Sequence, residues 1–145
     1  MKILVSFIVL ISLIQCSQKK EPAMGGTLVN NIATAIDTSS WKGLYHGTVP
    51  YKHGVGMSMD LSLYPSNTYN LDITFLKKNP KDNQRVNYTG EIEWGKDSST
   101  IILNELDTIS NKFRVRKNVV EYLNPDATPN TGELAEFYIL KRKSS

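Results

Sequence analysis

From Trp41 onward, apolar residues recur at every second position. Met57, Met59, Leu61 and Leu63 alternate with Ser58, Asp60 and Ser62. Tyr69, Leu71, Ile73 and Phe75 alternate with Asn70, Asp72 and Thr74, and Val86, Tyr88, Ile92 and Trp94 keep the same step. Trp41, Tyr45 and Val49 share one parity with Gly43 and Gly47. Successive side chains of an extended backbone point to opposite faces, so each run carries one apolar and one polar face, as a half-buried antiparallel strand requires. Pro65-Ser66-Asn67, residues 79–83 and Gly95-Lys96-Asp97-Ser98 supply turn chemistry between the runs. The pattern predicts further strands over residues 100–104, 112–117, 119–123 and 137–141, and a loop over the proline- and glycine-containing residues 124–134. No helical stripe longer than two turns follows residue 40.

These elements predict a mainly β fold: a small antiparallel up-and-down barrel of about six to eight strands, which removes its unpaired edges by closing. A two-sheet β-sandwich is the alternative. Trp41, Tyr45, Leu61, Leu71, Ile73, Trp94 and Leu103 are expected to be buried together. Gly43, Gly47 and Gly90 fit corners where a barrel wall bends.

The pattern before residue 41 is different. Lys2 precedes an apolar run ending at Leu13-Ile14-Gln15-Cys16, the charged start and hydrophobic middle of a secretory signal. Those last four residues resemble a bacterial lipobox, whose cysteine is diacylated and becomes the first mature residue; Gln15 departs from its usual small residue. The expected organisation is a signal peptide over residues 1–15, a lipidated Cys16 and tether over 16–40, and a barrel domain over 41–145. Residues 17–26 are too polar and glycine-rich to bury a core. A flexible stretch reaching Ser40 would span on the order of 25–30 Å. Leu28, Ile32 and Ile36 are spaced for two helical turns, or belong to irregular chain lying on the domain.

Composition narrows the function classes. The chain has 145 residues, with 17 Lys and Arg against 14 Asp and Glu. Removing the signal takes Lys2 with it and leaves a balance of +2. The basic residues are scattered along the sequence, which offers no basic field for nucleic acid. Cys16 is the only cysteine, so the domain has no disulfide and its core must hold the fold unaided.

Trp41-x-Gly43-x-Tyr45-x-Gly47-x-x-Pro50, then Gly56 and the alternating residues 57–63, resembles the N-terminal domain of NlpE-type lipoproteins. Tyr69, Gly90-x-x-x-Trp94 and Ile101-Ile102-Leu103 continue the resemblance, which covers roughly residues 41–141. It implies an outer-membrane lipoprotein with a lipocalin-like barrel, facing the periplasm or the cell surface, in a family linked to copper tolerance, adhesion and envelope stress signalling. It implies as partners the membrane, through lipid such as palmitate on Cys16, and envelope proteins. The family carries a Cys-x-x-Cys pair directly after the proline, where this chain has Tyr51 and Gly54. No thiolate remains there to bind soft copper or to cycle between redox states. Ser17-Gln18-Lys19-Lys20-Glu21 faintly resembles the charged tag that sends some Bacteroidetes lipoproteins to the cell surface; a solvated linker is the plainer reading.

Candidate chemistry is sparse. His46 and His53 are the two histidines, and Met57 and Met59 follow them. Imidazole and thioether can together bind monovalent copper, but the parity of both methionines matches the core. A cofactor is not expected. Tyr45, Tyr69, Phe75, Tyr88 and Trp94 either line a cavity for a small apolar ligand or fill the barrel. Glu91 and Glu93 share a strand parity opposite to Ile92, which makes a solvated face rather than an acid–base pair. No nucleophile elbow, phosphate loop or zinc-protease motif occurs, so an enzyme is not expected. Asn87-Tyr88-Thr89 matters only in eukaryotic secretion, and Asp107-Thr108-Ile109 matches a short bacterial O-glycosylation pattern.

Overall fold

In a computed structural model, residues 41–144 are described. They contain eight strands: β1 (Gly43–Val49), β2 (Gly56–Leu63), β3 (Thr68–Leu76), β4 (Gln84–Trp94), β5 (Thr100–Leu103), β6 (Lys112–Arg116), β7 (Val119–Tyr122) and β8 (Ile139–Arg142). Each pairs antiparallel with the next, and β8 returns to β1 through Tyr45↔Arg142 and His46↔Lys141. The result is a closed up-and-down barrel, not a sandwich. Cys16 and residues 17–40, including the Leu28–Ile32–Ile36 spacing, lie outside the described residues.

The period-two pattern sets which side faces in. Met57, Met59, Leu61 and Leu63 of β2 and Tyr69, Leu71, Ile73 and Phe75 of β3 are buried, while Ser58, Asp60, Ser62, Asn70, Asp72 and Thr74 between them face out. An apolar interior with a polar wall is the inverse of a membrane-spanning barrel, whose outer wall meets lipid. Tyr45, Met59, Leu61, Leu71, Ile73, Ile101, Leu103, Phe113, Val120 and Leu140 have 0% of their surface accessible. No water-sized sphere reaches them from solvent or from an internal void, so close contact fills this part of the barrel.

Three expectations need correction. Trp94 is half-buried rather than core; its ring meets buried Trp41 edge-on, centroids 5.3 Å apart, at the rim of the barrel. Phe137 is not in a strand. Residues Ala135–Tyr138 form a 3₁₀ turn, with Phe137 N–H donating to Leu134 O at 3.0 Å, and Phe137 is exposed. The strand glycines mark close approaches more than corners. A Cβ on Gly47 would stand 3.0 Å from Ile139 O, and one on Gly90 would stand 2.7 Å from Asn104 O.

The two ends of the barrel differ. At one end the turns are tight, over residues 64–67, 95–99 and 117–118, and the chain enters there through Trp41 and Lys42. At the other end lie the longer connections over residues 50–55, 77–83, 104–111 and 123–138.

Candidate functional site

The loop end is where the sequence places the departure from Cys-x-x-Cys. Val49 and Met57 pair across β1 and β2, and residues 50–55 turn between them. Gly54 N–H donates to Tyr51 O at 3.2 Å, and Val55 N–H donates to Leu76 O at 2.9 Å, which fastens the turn to the end of β3. Tyr51 packs against Phe75 and His53, with centroids 5.1 and 5.4 Å away. A Cβ on Gly54 would stand 2.5 Å from Leu76 O, so this loop admits no cysteine there without moving.

The four candidate metal ligands do not converge. His46 projects from the outer wall of β1, where its Nδ1 meets Asp60 Oδ1 at 3.0 Å. His53 is exposed in the loop. Met57 and Met59 are 2% and 0% exposed and fill the core. Among the described residues, no three His, Cys, Asp or Glu side chains gather into a metal-holding group.

The candidate ligand-lining aromatics also divide. Tyr45, Tyr69 and Phe75 are buried, and Tyr88 and Trp94 are half-buried. Tyr45 donates its hydroxyl to Trp41 O at 2.7 Å, tying the entering chain to the core; burial raises its pKa, partly offset by the nearby Arg142. Tyr69 donates to Asn104 O, and burial, then the Glu105 and Tyr88 charges, push its pKa to about 12. Tyr88 and Thr108 hydroxyls meet at 2.5 Å. At the loop end, Tyr122 stacks on Tyr138 at 6.3 Å and accepts from Ser110 N–H at 3.0 Å, so the connections over residues 104–111 and 123–138 fold down onto the barrel. Buried Leu106 adds to the core from the first of them.

Two charged clusters escaped the sequence reading. On the outer wall, Glu121 is only 8% exposed and meets Arg116 at 2.9 Å and Arg114 at 3.6 Å. Its partners follow from the β6–β7 register, which sets Arg114 opposite Glu121. The second is at the tight-turn end. Basic residues that are scattered in sequence are brought together there, because β8 lies between β7 and β1. Arg142 N–H donates to Asn118 O at 2.9 Å, Lys143 N–H donates to Leu44 O at 2.8 Å, and the Arg142 guanidinium donates to Lys42 O. Lys143 Nζ also reaches Asp60 at 2.8 Å, so Asp60 holds both His46 and Lys143; these partners outweigh burial and lower its pKa.

No curated protein matches this chain. Two crystal structures do. A lipoprotein candidate from Shewanella oneidensis is 30% identical, with a TM-score of 0.65, and the match covers 77% of this chain and 94% of that one. The Cpx pathway activator NlpE from Escherichia coli is 15% identical, with a TM-score of 0.47, over 63% of this chain and 46% of that one. The family model for the NlpE N-terminal domain matches residues 45–133, which span the barrel from Tyr45 in β1 to the connection before β8, and this chain belongs to that family.

Proposed function

We propose that this protein is a lipoprotein of the bacterial cell envelope, acylated at Cys16 and held at the outer membrane, whose barrel serves as an interaction domain in an envelope-stress role. Membership of the NlpE N-terminal domain family carries this reading. The segment ending at Leu13-Ile14-Gln15-Cys16 supports the anchor. The barrel supports an interaction role: its interior is filled mostly by apolar side chains in contact, and its charged groups lie on the wall and in the loops. A packed interior favours recognition by the outer surface over enclosure of a small ligand.

The anchor is tested by labelling cells with a fatty-acid analogue. The wild type takes up the label and Cys16→Ser does not; equal labelling of both would reject lipidation at this cysteine. The interaction role is tested by envelope-stress reporter output on overexpression, which the anchored wild type should raise and the soluble Cys16→Ser form should not.

A further inference from the structure

The tight-turn end is electrically lopsided. Lys42, Arg116, Lys117, Lys141, Arg142 and Lys143 lie along one side of it, carried by the entry to β1, the β6–β7 turn and the end of β8. Among the described residues, two side-chain carboxylates stand beside them. Glu121 is taken by Arg114 and Arg116, and Asp60 by Lys143 and His46. Among the described residues, Lys42, Lys117 and Lys141 have no ion-pair partner. The other acidic side chains of this end among the described residues, Glu91, Glu93 and Asp97, belong to β4 and its turn, diametrically opposite β8 in the closed strand order. The positive charge of these three lysines is therefore left largely uncompensated on the β8 side.

We propose that this basic edge is a docking surface for anionic phospholipid headgroups of the membrane that anchors the protein. Charge complementarity points to an anionic partner, and scattered lysine ammoniums suit a diffuse layer of phosphates better than a shaped ligand. The chain itself points to a membrane. The segment leading from Cys16 enters the barrel at Trp41 and Lys42, so the basic edge belongs to the end that the anchor joins. Lipid on one cysteine alone holds a protein at the bilayer without orienting it. A basic edge beside the entry point adds a second, salt-sensitive contact that selects one orientation and turns the loop end outward. This inference rests on the anchored-lipoprotein reading for its biological setting, but the surface can be tested without the lipid.

The barrel closes on itself with its core inside the described residues, so a chain of residues 16–145 carrying Cys16→Ser retains the surface. Its co-sedimentation is measured with vesicles of phosphatidylcholine alone and with vesicles containing about one quarter phosphatidylglycerol. Binding is expected only to the anionic vesicles, weakening steeply with added salt. It should fall about fivefold for each lysine neutralised and further on reversal in the triple variant Lys42→Glu, Lys117→Glu, Lys141→Glu. Lys117 and Lys141 are exposed and should leave the melting temperature unchanged, whereas the Lys42 ammonium lies 6.0 Å over the Trp41 ring; if the triple variant melts lower, the double variant Lys117→Glu, Lys141→Glu and the salt titration of the unmodified chain carry the test. Equal binding to neutral vesicles, no binding to either, or displacement by millimolar inorganic phosphate, which would mark a small-anion site instead, each overturns the proposal. None of these results bears on Cys16 labelling, so the two readings fail separately.

Discussion

Tyr69 lies directly across the β3–β4 ladder from Gly90, and its ring fills the space that a side chain at residue 90 would need. The register pairs the two residues, and a Cβ on Gly90 would stand 3.1 Å from Tyr69 Cε1 and 2.7 Å from Asn104 O. The missing side chain lets the ring lie flat on the sheet, with its hydroxyl delivered to Asn104 O beyond the end of β5. Such a pair pins register, because a slip of one residue would bring the ring against Thr89 or Glu91 instead. Gly90→Ala is expected to destabilise the barrel by about 1–3 kcal/mol through overpacking. Tyr69→Phe should lose about 0.5–1.5 kcal/mol with the hydrogen bond. Chemical denaturation measures both, and an alanine at residue 90 that left stability unchanged would show that the ring can move aside freely.

The inward parity carries the fold. Leu61 and Ile73 are fully buried on neighbouring strands, and Ser62 and Thr74 beside them face out. Leu61→Ala or Ile73→Ala should cost about 2–5 kcal/mol, combining lost transfer energy with the cavity left behind. Ser62→Ala and Thr74→Ala should stay within about 0.5 kcal/mol. Equal losses at the two parities would mean that the wall, not the interior, holds the barrel.

Period-two alternation reports a strand well when one side of the sheet is buried along its whole length, and β2 and β3 are readable for that reason. It is weaker for β4. Only Ile92–Trp94 pair with β5, so the first half of the strand has its ladder on the β3 side alone, and Val86 and Tyr88 remain half-buried. Phe137 misled the pattern because hydrogen bonding within residues 132–138 draws the chain into a helical turn before β8 begins. The basic edge was illegible for a different reason. Lys42, Lys117 and Lys141 are far apart in sequence, and only closure of β8 onto β1 makes them neighbours. Charge counted along a chain does not reveal a patch that topology assembles.

Asp97 organises the β4–β5 turn. Its carboxylate accepts from Thr100 N–H at 2.8 Å, Ser99 N–H at 3.1 Å, and the Thr100 and Ser99 hydroxyls at 2.7 and 3.0 Å. The Thr100 backbone bond is the leading cause of a pKa held far below the ordinary carboxylate range. A folded-state pKa below the unfolded value near 3.9 means that the unfolded chain binds the proton more readily. The stabilisation is therefore complete above about pH 5 and is lost as pH falls through 3.9 toward the folded value. Asp97→Asn should lower stability at neutral pH and flatten its decline between about pH 4 and pH 2, as followed by thermal melts across that range. An unchanged acid profile would show that the turn holds without the charge.

The last prediction concerns copper. The family's thiolate pair is replaced by Tyr51 and Gly54, and the remaining soft ligands are divided between inside and outside. Met57 and Met59 are buried in the core, His46 is held by Asp60 on the wall, and His53 is exposed in the loop against Tyr51. The buried thioethers and the imidazoles outside the core form no common ligand set in the folded domain. The folded domain is therefore expected to bind no stoichiometric, tight copper under reducing conditions, as measured by competition with a monovalent-copper chelator. The loop blocks the simplest rescue as well. In the double variant Tyr51→Cys, Gly54→Cys, the second Cβ would press on Leu76 O from 2.5 Å, so the turn must shift before both sulfurs can face one ion. That variant should lose about 1–3 kcal/mol of stability without metal. Tight binding by the unmodified chain that His53→Ala abolished would show that a different ligand set forms, and tight binding by an undestabilised double variant would show that the loop is free to rearrange.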